Sequence, residues 1–76
     1  MDDTDEEKPV EAMSCLELER EICERTRRYE LTADSQTGRI SVFALPLDRQ
    51  QPTIARSGTD TEAVLRDLLR VLRSYG

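Results

Sequence analysis

The hydrophobic period of this chain changes twice, and that change limits the folds open to it more than any other feature. Between Cys15 and Arg28 apolar residues return at helical intervals: Cys15, Leu18, Ile22 and then Tyr29, with Leu16 and Cys23 widening the stripe. From Tyr29 the period drops to two, as Tyr29, Leu31 and Ala33 alternate with Glu30, Thr32 and Asp34. After Thr59 the helical period returns, with Val64, Leu65, Leu68, Leu69, Leu72 and Tyr75 forming a wide apolar face and Val71 on its border. A helix, a set of short strands and a second helix must therefore share one core.

The local punctuation agrees. Ser14 and Glu17 have the spacing of a capping box, with Met13 and Leu18 placed as a hydrophobic staple, and Pro9 suits a first turn. Glu21 with Arg25 and Glu24 with Arg28 are acid-before-base pairs four residues apart, the favourable order on a helix surface. Asp34-Ser35-Gln36-Thr37-Gly38 is a turn in which Gly38 supplies a positive φ. Arg39 to Leu45 is a second strand that Pro46 ends, because proline has no N–H to donate to a ladder. Leu47 to Gln51 is a loop, and Pro52 to Arg56 a third strand around Ile54. Thr59 and Glu62 propose a second capping box. The expected architecture is α+β, in the order α-β-β-β-α: a three-stranded antiparallel sheet with both helices packed on one face.

With 76 residues the chain is one domain of marginal size. Residues 1–8 read as a disordered acidic tail and 9–76 as a single folded domain. The net charge of −5 belongs to that tail. Setting aside Asp2, Asp3, Asp5, Glu6 and Glu7 leaves eleven acids against eleven bases, so the body is neutral. Arginine outnumbers lysine ten to one, a bias common in GC-rich genomes. Cys15 and Cys23 are eight residues apart. On one helix that is a rise of about 12 Å, beyond the roughly 7 Å a disulfide allows between Cα atoms. They read as core filler on the helix face, with a redox or intermolecular role as the alternative for Cys15, whose thiol at a helix N-terminus would ionise more readily. Unpaired thiols, no export signal and no long apolar run lead to the expectation of a cytoplasmic protein.

Most catalytic constellations are missing. There is no histidine, and hence no Ser-His or Cys-His pair; no glycine opens a phosphate-binding loop; two thiols alone do not make a metal site. Glu17, Glu21 and Glu24 each have an arginine three or four residues on, which makes them a solvated ion-pair face. The expected function is non-catalytic and needs no cofactor. Arg66, Arg70 and Arg73 line the side of the last helix opposite its apolar face, reinforced if Arg56 lies nearby, and three guanidiniums could clamp carboxylates or phosphates. These four, with Glu21 and Glu24, are the candidate partner-binding residues. The uncovered face and the two edges of the sheet are a second candidate, and an exposed edge also favours a homodimer.

Two resemblances bear on function. The element order over residues 13 to 75, with Tyr-x-Leu at 29–31 and Ala-x-Ser-Gly at 55–58, resembles the double-stranded RNA-binding domain. That family implies a nucleic-acid-binding module whose last helix opens with lysines; here the position reads Thr59-Asp60-Thr61-Glu62. A neutral body also lacks the electrostatic attraction that dominates such binding, so direct nucleic-acid binding is disfavoured. In size, acidity and lack of catalytic groups the chain resembles the phage-encoded inhibitors of bacterial defence, the anti-CRISPR proteins among them. That resemblance implies an inhibitor or regulator that occludes a surface of a host protein or ribonucleoprotein complex.

Overall fold

The computed structural model describes residues 8–75. A single 3₁₀ turn, Val10–Ala12, precedes α1 (Cys15–Glu24), β1 (Thr26–Ala33), β2 (Ile40–Pro46), β3 (Ile54–Gly58) and α2 (Thr61–Tyr75). The strands form one antiparallel sheet in the order β1-β2-β3. Both helices lie on one face of it, and the α+β order is the one expected. No helix among the described residues is long and apolar enough to cross a membrane. The expectation of a disordered tail over residues 1–8 lies outside the described residues except at Lys8. Lys8 donates from Nζ to the Glu17 carboxylate at 3.0 and 3.2 Å.

The start of α1 follows its sequence signals closely. Ser14 Oγ accepts from the Glu17 N–H at 3.2 Å, and the Glu17 carboxylate accepts from the Ser14 N–H at 2.9 Å, which satisfies two of the helix's open donors. Met13 and Leu18 are both buried, as a staple requires. Pro9 caps the separate 3₁₀ turn and not α1 itself.

The end of α1 differs from expectation. The helix stops at Glu24, with Arg25 as its cap, and β1 begins at Thr26. Thr26 is buried, its hydroxyl donates to the Ile22 carbonyl at 2.8 Å, and its Cα is paired with that of Pro46. Tyr29 also turns toward the helices, yet it is three residues on, and strict alternation would put the two on opposite faces. A bulge between Thr26 and Arg28 resolves the conflict by adding one residue. Arg27 occupies it, and its Nε donates to the Pro46 carbonyl at 2.8 Å. Arg28 is thereby a strand residue, paired with Glu30 and not with Glu24.

The β1–β2 turn is built as its composition demands. Gly38 has φ +72°, and its N–H donates to the Asp34 carbonyl at 2.8 Å. Asp34 Oδ1 accepts from the Gln36 N–H at 2.9 Å. β3 begins two residues later than expected. Asp48 folds the preceding loop back, accepting from the Gln50 and Gln51 N–H groups, and pairing starts at Ala44 with Ile54. α2 is capped by Asp60, not Thr59: Asp60 Oδ1 accepts from the Glu62 N–H at 3.1 Å, and its carbonyl from that of Val64 at 3.0 Å.

The core lies between the sheet and the helices. Val42, Ala44 and Ile54 meet Leu18 and Ile22 of α1 and Val64, Leu65, Leu68, Leu69 and Leu72 of α2. Val10 and Met13 close one end, and Tyr29, Leu31, Ile40, Val71 and Tyr75 are packed around the margin.

Candidate functional site

The arginines of α2 point away from the core but are engaged in the fold. Arg73 grips Glu21 of α1 with both ends of its guanidinium, Nε to Oε2 at 2.8 Å and Nη2 to Oε1 at 2.7 Å. Arg25 adds a third bond to the same carboxylate at 2.8 Å. All three side chains are largely shielded from solvent. The Arg73 hydrogen bond, helped by Arg25 and opposed by burial, holds the Glu21 carboxyl below its ordinary pKa. This clamp ties the last turn of α1 to the last turns of α2.

Arg66 and Arg70 diverge from Arg73 and from each other. Arg66 donates to Glu62 one turn earlier at 2.6 Å. Arg70 reaches Glu11 in the 3₁₀ turn at 2.6 Å and lowers the pKa of that carboxyl. Arg56 of β3 stands 3.8 Å from Asp67. Glu24 is exposed at the end of α1 and, with Leu16, Glu19, Arg20 and Cys23, lines a shallow depression. Of the six residues singled out from sequence, the structure brings Glu21 and Arg73 together, as a tie between helices. Arg66 pairs with Glu62 alone, whereas Arg56 and Arg70 flank Asp67, at 3.8 and 3.9 Å, and Arg70 also holds Glu11.

The cysteines are not core filler. Both are exposed and unpaired, and Leu16 beside them is 69% exposed. Leu18, Ile22 and the neighbouring leucines of α2 already fill the space that the wider stripe would have occupied. Nor is the Cys15 thiol activated. Partial burial raises its pKa first, and Glu62, Glu19 and Asp60 add to the rise. Among the described residues no group of histidine, cysteine, aspartate or glutamate side chains could hold a metal ion.

The other face of the sheet is turned away from both helices. In β2 the residues at 42, 44 and 46 turn to the helices, so Ser41, Phe43 and Leu45 turn outward. The chain's single phenylalanine, Phe43, is half-exposed at the centre of this face. Its cross-strand neighbours are Glu30 on β1 and Ala55 on β3. With Glu30, Thr32, Ser41, Ala55, Arg56 and Ser57 it lines a shallow hollow of about 610 Å³. Arg39 Nη2 donates to Ser57 Oγ, one of the lining residues, at 3.0 Å. The sequence carried a signal for this. Phe43 falls in the same phase as Ser41, and its neighbours Val42 and Ala44 share the phase of Ile40.

Comparison with known protein families, with characterised proteins and with solved structures found no match.

Proposed function

We propose that this chain is a non-catalytic protein-binding module that contacts its partner through the open face of the sheet, centred on Phe43. The observation that carries the reading is a partly exposed phenylalanine on the face of the sheet turned away from the helices, lining a shallow hollow there. An aromatic side chain at the centre of a shallow recess has the form of a binding hot spot. The mode of action is occlusion: an inhibitor or regulator that covers part of a larger protein or ribonucleoprotein complex. The lack of histidine and the use of Glu21, Arg73, Arg66 and Arg70 as ties within the fold both support a role without chemistry. Two exposed, unpaired thiols suit a reducing compartment such as the cytoplasm.

The test is a tagged pull-down with and without nuclease, run in parallel on the wild type, Phe43→Ala and Arg70→Glu. The expected result is a stoichiometric protein partner that survives nuclease, is lost with Phe43→Ala and is kept with Arg70→Glu. Capture that disappears on nuclease treatment would replace this reading with nucleic-acid binding, in which Phe43 serves as a stacking platform beside Arg39.

A further inference from the structure

The sheet ends in two unequal edges. β3 offers five residues, and its Arg56 lies near Asp67 of α2. β1 offers eight, and Tyr29 and Leu31 on it are packed against the core but only half-buried, with the Tyr29 hydroxyl donating to Glu19 Oε2 of α1 at 3.2 Å. The Asp34 N–H donates to the Arg39 carbonyl at 2.8 Å, so these two form a hydrogen-bonded pair of the β1–β2 ladder. Bonded and non-bonded pairs alternate along an antiparallel ladder. Thr32, Glu30 and Arg28 therefore direct their backbone groups to β2, and Tyr29, Leu31 and Ala33 direct theirs to the free edge.

Charge is arranged along that edge with alternating sign. Arg28 and Glu30 stand side by side on the open face of β1, with Arg28 Nε donating to Glu30 Oε2 at 3.1 Å. Charges on an edge strand ordinarily deter pairing with other chains. Here they favour one particular alignment of the strand with itself over those a single ladder step away. In an antiparallel pairing of two β1 strands about a twofold axis at Tyr29, the outward backbone groups of Tyr29 meet those of Tyr29 of the second copy. Arg28 then lies opposite Glu30 of the second copy, and Glu30 opposite its Arg28. The four charges form a square in which every neighbour has the opposite sign. Sliding the strands by one ladder step either way sets Arg28 against Arg28 or Glu30 against Glu30. Opposite charges across a strand pair stabilise it, and like charges destabilise it.

We propose that β1 is the dimer interface of this protein, joining two copies edge to edge into a continuous six-stranded sheet whose register is selected by Arg28 and Glu30. The inference goes beyond the binding role of Phe43 and is independent of it. Such a dimer would present two copies of the open face side by side on one surface.

The experiment measures the mass of the full chain by sedimentation equilibrium across the micromolar range, for the wild type, Arg28→Glu, Glu30→Arg and the double exchange, with circular dichroism to verify folding. The wild type is expected to be dimeric. Either single reversal surrounds one position with like charge and should raise the dimer dissociation constant by about tenfold or more. The double exchange restores the alternating square and should recover wild-type association. Amide exchange at Tyr29 and Leu31 should slow with rising protein concentration. A monomeric wild type overturns the proposal. A dimer indifferent to the single reversals, or one not rescued by the double exchange, overturns it equally, and neither result bears on Phe43.

Discussion

The two faces of β2 belong to the same seven residues and obey different rules. On the inner face Val42 is 2% exposed and Ala44 fully buried, and both belong to the core shared with the two helices. Their size is dictated by the space left between sheet and leucines, because interiors are close-packed. On the outer face Ser41, Phe43 and Leu45 meet only their strand neighbours. Nothing in the fold requires an aromatic ring there. A residue whose presence the core does not explain is a better guide to function than one that the core demands. The same contrast separates the charged groups: Glu21 and Arg73 hold the helices together, whereas Arg28 and Glu30 satisfy only one another.

The sharpest test of this contrast substitutes one residue on each face. Ile54→Ala, on the inner face of β3, removes most of a buried side chain and leaves a cavity, at a cost of about 2–5 kcal/mol. A domain of this size has little more to lose, so urea unfolding should show a greatly reduced midpoint or no folded baseline. Phe43→Ala should cost about 1 kcal/mol or less, a loss of strand preference with little cavity. Equal destabilisation by the two would mean that the outer face belongs to the core after all.

The charged clamp should fall between these extremes. Glu21→Gln keeps the shape but gives up the charge on three hydrogen bonds, and about 1–3 kcal/mol of stability should go with it at neutral pH. The sign of its pH dependence follows from the lowered pKa. The contribution is fully present above the ordinary carboxyl value of 4.5 and is lost as the pH falls through the depressed folded-state value. Wild type and variant should therefore differ at pH 7 and converge in strong acid, as read by thermal unfolding at a series of pH values. A constant gap at all pH values would assign the clamp to packing and not to charge.

A small effect is also expected in the hairpin that sets the register of both faces. Gly38→Ala meets no steric obstacle, but its φ of +72° strains any residue with a Cβ. The cost should be about 1 kcal/mol, measured by urea unfolding, with no change of register.

Much of the fold could be read directly from the chain because its signals are local. The Ser14–Glu17 capping box spans four residues, and the Gly38 turn needs only its own backbone. The apolar face of α2 repeats within a single helix. Their hydrogen bonds close between neighbours in sequence, so short-range chemistry is sufficient to specify them. The signals that misled were those in which two local patterns overlapped. Tyr29 fits both the helical stripe from Cys15 and the alternation toward Ala33, and Arg28 fits an ion pair with Glu24 as well as a place in a strand. Leu16, Cys15 and Cys23 matched a helical face as well as core residues do, and α2 had already filled the core with leucines.

By itself, then, the sequence determined the order of elements, the caps that start α1, the turn between the first two strands and the face by which α2 is buried. Tertiary structure decided the rest. It ended α1 at Glu24, because a bulge lets both Thr26 and Tyr29 reach the core. It joined Arg73 to Glu21 across fifty-two positions, and Arg70 to Glu11 across fifty-nine. It also left Phe43 on an uncovered surface and Arg28 beside Glu30 on a free edge. These outcomes depend on which surfaces meet when distant segments pack, and no window of neighbouring residues contains that information.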